Sequence, residues 1–164
     1  MMEIFWDELT SGLPTVTQLA HAIIRLAAAA LLGGLIGLQR ERAGKAAGLR
    51  THVLVSLGTA VFVLAAAGSG MSSDGVSRVI QGVVTGIGFL GAGAILKRSR
   101  TQEIQGLTTA AGIWVTAAVG VTTGLGGLGL ALLGTGLTWV VLTVVGRLEG
   151  PRPVDKAGPA AGPG

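Results

Sequence analysis

The chain has no cysteine, which excludes disulfides, thiolate metal centres and cysteine nucleophiles. Charge is also scarce. Only 12% of the 164 residues are Asp, Glu, Lys or Arg, about half of the roughly 25% usual for a soluble domain. The few charges cluster in short stretches separated by long charge-free runs, as membrane spans require, and the mean hydropathy is +0.68. The net charge of +4 sits beside apolar spans rather than in one stripe, so it sets topology and argues against a nucleic-acid partner. A secretory leader is not expected, because Glu3, Asp7 and Glu8 stand where a positive segment belongs.

The runs give an all-α membrane protein of five transmembrane helices, expected at residues 17–38, 49–68, 79–96, 106–122 and 127–146. The strictly apolar part of the first span, 26–38, is only 13 residues, short of the roughly 20 needed to cross. His21 and Arg25 therefore lie within or at the edge of the bilayer. Residues 104–146 hold 43 positions without a charge; as one helix they would extend about 65 Å, twice a hydrocarbon core. The run must fold back, and the Gly/Thr-rich stretch 122–127 is the natural break. Residues 1–16 form an external or interfacial arm, and 149–164, rich in Pro, Gly and Ala, are expected to be a disordered cytoplasmic tail.

Positive charge orients the spans. The first connection carries Arg40, Arg42, Lys45 and Arg50, the third Lys97, Arg98 and Arg100, and the C-terminal end Arg147, Arg152 and Lys156. All fall on one side when five spans alternate, which places the N-terminus outside and the C-terminus in the cytoplasm.

Twenty-nine glycines are present, many inside spans. Small residues let helices approach closely in lipid, so Gly33, Gly37, Gly82, Gly86, Gly88, Gly91 and Gly93 are read as helix-packing positions, with a homo-oligomeric contact as a further use. Gly86–Gly91 also spells G-x-G-x-x-G, but it lies mid-span and lacks the strand and the acid some 20 residues on that a dinucleotide site needs. The glycine density implies instead a third helix that kinks or partly unwinds.

Among polar residues, Arg25 is the one charge within the hydrocarbon; it either snorkels or meets Asp74, backbone carbonyls or a substrate. Asp74 and Arg78 are four apart and can pair across one turn, or Asp74 can cap the helix. Asp74 is also the first acid an external cation would meet, though one carboxylate is a poor divalent site. Arg40, Glu41 and Arg50 close the ends of the first two helices, with Glu41 in reach of Lys45 or Arg50. Gln81 is the strongly polar side chain of the third span, and Thr108 or Thr109 can cap the fourth. The two histidines lie near opposite membrane boundaries, no acid pair is placed to share a helical face, and no P-loop lysine motif occurs, so neither an enzyme nor a nucleotide-driven pump is expected, and no cofactor is required.

Four segments in order resemble the MgtC/SapB family of bacterial inner-membrane proteins, over residues 25–149. They are Leu32-Gly33-Gly34-Leu35-Ile36-Gly37-Leu38-Gln39-Arg40-Glu41-Arg42, Ala47-Gly48-Leu49-Arg50-Thr51-His52-Val53-Leu54-Val55, the run from Arg78 to Gly93, and Gly106-Leu107-Thr108-Thr109-Ala110-Ala111 followed by Trp114. The resemblance implies a role linked to magnesium homeostasis, survival in low magnesium, virulence, and modulation of a membrane complex such as the F-type ATP synthase. The family usually has Glu where this chain has Gln39, which weakens an acidic site there. The likeness is to SapB-like members, which have the membrane domain alone. The function expected is regulatory contact within the bilayer, with a small cation channel or transporter lined by the third helix as the alternative.

Overall fold

The structure, a computed structural model, describes residues 1–10, 15–97 and 104–148. The expected tail and the basic run Arg98–Arg100 lie outside these residues.

A short helix, α1 (Met2–Thr10), precedes the first span. α2 (Val16–Arg42) opens with a reciprocal capping box: the Thr15 hydroxyl accepts from the Gln18 amide at 3.2 Å, and the Gln18 side chain accepts from the Thr15 amide at 2.9 Å. Its 27 residues extend about 40 Å, beyond a roughly 30 Å hydrocarbon core. Arg40 and Arg42 are therefore in the last helical turn, not in the connection. α3 (Leu49–Gly68) and α4 (Ser73–Gly93) follow. α4 starts six residues before the expected 79, because Ser72 caps it from the Gly75 amide and polar first turns are still helix. Hydropathy marks where a helix crosses, not where it begins.

Between α4 and α5, β1 (Leu96–Lys97) pairs antiparallel with β2 (Ile104–Gln105), Leu96 opposite Gln105. α5 (Leu107–Gly124) turns through Gly126, whose φ of 88° favours glycine, into α6 (Leu128–Val140). That break falls inside the expected stretch. α6 continues through a π-helical turn, Val141–Val145, into the short α7 (Gly146–Leu148). Among the described residues, five helices are long and apolar enough to cross a membrane.

α5 is the axis of the bundle and packs against α2, α3, α4 and α6. Glycine sets how closely its neighbours approach. A Cβ at Gly120 would overlap the Thr59 hydroxyl and the Ser56 carbonyl of α3, and one at Gly124 would lie 3.0 Å from the Ala60 carbonyl. Between α2 and α3, a Cβ at Gly33 would stand 2.6 Å from the Ser56 Cβ, and one at Gly37 would stand 2.8 Å from the Leu49 Cα. Two apolar clusters flank this three-helix core: Leu32, Ile36, Val119 and Ala131 toward α6, and Ala47, Ile87, Ile113 and Ala117 toward α4.

α4 departs from expectation. It is one uninterrupted helix that does not unwind, and only Ile87 and Gly91 are buried. Gly91 faces Ala110 of α5, whereas Cβ atoms at Gly82, Gly86, Gly88 and Gly93 would meet nothing within 4 Å. These four glycines do not pack the bundle. The helical irregularity lies instead in α6, where a run rich in β-branched residues, crowded at χ1, adopts the wider π turn.

A polar latch at one end of the bundle: candidate functional site

Successive helical residues project about 100° apart, so three consecutive side chains at the end of α2 can reach three different neighbours. Gln39, Arg40 and Glu41 do this. The Gln39 Nε2 donates to the Leu142 carbonyl in the π turn at 3.3 Å. Arg40 Nη2 donates to the Thr109 hydroxyl in the first turn of α5 at 3.3 Å. The Glu41 carboxylate accepts from the Leu49 amide at the start of α3 at 2.8 Å. One turn of α2 thus holds α6, α5 and α3 together.

The Glu41 contact replaces the expected pairing with Lys45 or Arg50. Gly48, the α3 N-cap, has no side chain to cap the helix, and a carboxylate at a helix N-terminus satisfies an orphan amide and complements the dipole. Glu41→Ala is expected to cost about 1 kcal/mol, the usual worth of such a cap, measured as a lower midpoint in detergent unfolding; Glu41→Gln should recover part of it.

Behind the latch lies buried polarity. Arg40 is 3% exposed and His52 is fully buried. His52 Nδ1 lies 2.9 Å from the Gly48 carbonyl; a carbonyl only accepts, so Nδ1 carries the proton, which in the neutral ring leaves Nε2 as an acceptor. Nε2, the Arg40 Nε and the Ser56 hydroxyl are all buried without a hydrogen-bond partner. Farther along, Thr59 donates to the Val55 carbonyl at 2.9 Å and lies 3.3 Å from Ala117 O, while Thr116 and Thr123 bond one turn back along α5. The seam between α2, α3 and α5 is hydroxyl-rich, and glycines at 33, 37, 120 and 124 draw its helices close together.

Arg25 performs the corresponding task at the other end. Of its expected partners it takes a backbone carbonyl rather than Asp74: its Nη1 donates to the Gly124 carbonyl at 2.9 Å, sealing the C-terminus of α5.

Other candidates stand apart. Asp74 is exposed in the first turn of α4, where Ser72 rather than Asp74 is the cap, and it forms no ion pair with Arg78 among the described residues. Arg50, Arg78 and Thr108 are exposed. Thr109 receives Arg40, and the N-cap of α5 is Gly106, with no side-chain bond. Among the described residues no three His, Cys, Asp or Glu side chains gather as a metal site would need.

His52, Ser56, Thr59, Thr116 and Thr123 were not legible as a set from charge or hydropathy. Their spacing was available: 52, 56, 59 and 109, 112, 116, 120, 123 are helical stripes of small and hydroxyl residues.

The MgtC family model matches residues 26–150, a stretch that begins just after Arg25 and holds the whole latch and all five spans but the start of the first. The chain belongs to the MgtC family. It is therefore a multi-pass protein of a family of bacterial inner-membrane proteins. It is 48% identical over 136 residues to YhiD of Escherichia coli K12, a protein named provisionally for magnesium transport, covering 79% of this chain and 62% of YhiD. It is 46% identical to SrpB of Synechococcus elongatus over 76% of this chain and 75% of SrpB, and 45% identical to MgtC of Salmonella typhimurium LT2 over 69% of this chain and 47% of MgtC. The chain thus spans under two thirds of YhiD and about half of MgtC. No solved structure matches it.

Proposed function

We propose that this MgtC-family protein is a regulatory component of the inner membrane that acts by docking a transmembrane helix of another membrane complex, not by conducting ions itself. The observation that carries this reading is the outward face of α4. Gln81, Thr85, Gly88 and Ala92, spaced as one helical stripe, are all exposed, and Gly82 and Gly86 flank them. The exposed residues of α6, in contrast, include Leu130, Leu132, Leu133, Leu137 and Trp139, the surface that lipid tails favour. A stripe of small residues with one amide in the first turn of the crossing suits another helix, because backbones approach and the amide finds a partner.

By family resemblance the setting is magnesium homeostasis, and the docked complex is one such as the F-type ATP synthase. The channel alternative runs its path along the glycines of α4, but in one chain Gly82, Gly86, Gly88 and Gly93 face outward, and close glycine contacts draw α2, α3 and α5 together.

Gly88→Leu combined with Thr85→Leu bulks the stripe without a clash at Gly88, where a Cβ meets nothing within 4 Å. This variant is expected to fold normally yet lose the membrane complex that co-purifies with the wild type. Magnesium flux in proteoliposomes of the pure protein, lost on Asp74→Ala, would overturn the regulatory reading. For orientation, single cysteines have no native background: one at Ser73 should label from outside the cell and one at Ser99 only from inside.

A further inference from the structure

Arg40 Nε, His52 Nε2 and the Ser56 hydroxyl are buried, and none has a hydrogen-bond partner among the described residues. His52 and Ser56 are fully buried and Arg40 is 3% exposed, so bulk solvent cannot satisfy them. Leaving a buried donor or acceptor unmade is costly, and a buried guanidinium with no carboxylate beside it adds to that cost. Buried polar groups of this kind find either protein or ordered water.

The packing places these groups together. The His52 ring crosses between two glycines: a Cβ at Gly37 of α2 would stand 2.9 Å from the His52 Cβ, and one at Gly112 of α5 would stand 3.6 Å from Nε2. Nε2 is therefore aimed at α5. Arg40 follows Gly37 by one turn of α2 and reaches Thr109, one turn before Gly112 on the same face of α5. Its guanidinium thus crosses the same gap one turn from the imidazole, close enough for its charge to act on the ring. Ser56 is one turn beyond His52 on α3.

Gly112 shows what the gap can hold. At Gly33 and Gly37 an added Cβ would overlap α3, at 2.6 Å and 2.8 Å, but at Gly112 the 3.6 Å distance is ordinary van der Waals contact. Glycine weakens a helix interior, and at 112 no close approach of backbones repays it. What it leaves is a methyl-sized space facing Nε2, about the size of one water.

We infer that one water molecule is bound in this space, donating to His52 Nε2 and accepting from Arg40 Nε, so that it joins α2, α3 and α5 behind the latch. Water fits where an ion does not, because the site offers an acceptor and a donor together. Ser56 supplies a further polar neighbour, and buried waters usually have two to four. The inference is independent of the helix-docking face of α4.

The chain has two histidines, so isotope-labelled histidine in the full chain, embedded in bilayers, gives two ring signals that His21→Asn assigns. Solid-state NMR in which magnetisation starts on water tests the site. The wild type is expected to show transfer to His52 Nε2 although the ring is fully buried. Gly112→Ala fills the space and should abolish that transfer, while transfer to the exposed His21 is unchanged. The same variant separates a wet site from a dry one by stability. Displacing the water strands Nε2 and lowers the unfolding midpoint, whereas in a dry site the added methyl and better helix propensity raise it. No transfer to His52 in the wild type, transfer intact in Gly112→Ala, or an unchanged or raised midpoint in that variant overturns the inference.

Discussion

Gly120→Ala is expected to be among the most destabilising single-methyl changes in this protein. The added Cβ would enter the space of the Ser56 carbonyl and the Thr59 hydroxyl, and backbone cannot swing aside as a flexible side chain can. Overpacking a dense core costs about 1–3 kcal/mol and occasionally more, and here α3 and α5 would have to separate along the main interface of the core. The natural control is Gly58→Ala in α3, where a Cβ would meet nothing within 4 Å and the change should gain up to about 1 kcal/mol of helix propensity. Unfolding by SDS titration in mixed micelles should drive the two variants in opposite directions. Equal midpoints would mean that α3 and α5 are not in contact at Gly120.

Arg25→Leu comes second. The Gly124 carbonyl closes α5 and receives Arg25 at 2.9 Å. Leucine leaves that acceptor without its partner, at a cost of about 1–3 kcal/mol. Arg25→Lys should recover only part, since an ammonium can reach one carbonyl but lacks the flat guanidinium that lies against the Gly126 turn, where a Cβ would stand 2.7 Å from Nη2. An Asp74→Asn variant, in contrast, should leave the midpoint unchanged, because Asp74 is exposed and takes no part in holding Arg25. The same unfolding assay separates the three.

Sequence reading reached the bundle because bilayer thickness imposes a length on every apolar run. The charge-free stretch 104–146 had to turn, and it turns at Gly126. Helix ends were less accessible: α4 begins at Ser73 and α2 ends at Arg42, since polar turns outside the hydrocarbon carry no hydropathy signal. The role of each glycine was ambiguous for a different reason. Gly33 and Gly82 look alike in sequence, yet Gly33 presses on Ser56 while Gly82 meets nothing; which face of a helix points inward depends on its neighbours. The latch was half visible. Arg40 and Glu41 stood out as charges, but that Gln39, Arg40 and Glu41 each hold a different helix required knowing which helices surround α2. The π turn that presents the Leu142 carbonyl to Gln39 left no motif beyond its β-branched run.

The central claim, that the outward stripe of α4 is a docking surface for another helix, is tested most directly by disulfide or photo-cross-linking in native membranes. The chain has no cysteine of its own, so single reporters can be placed at Thr85 and Gly88 on the stripe and at Leu133 of α6 as the lipid-facing control. The account predicts that Thr85 and Gly88 capture a distinct membrane protein at high yield while Leu133 captures none. Capture that is equal at all three positions, or that yields only a second copy of this chain, would contradict it.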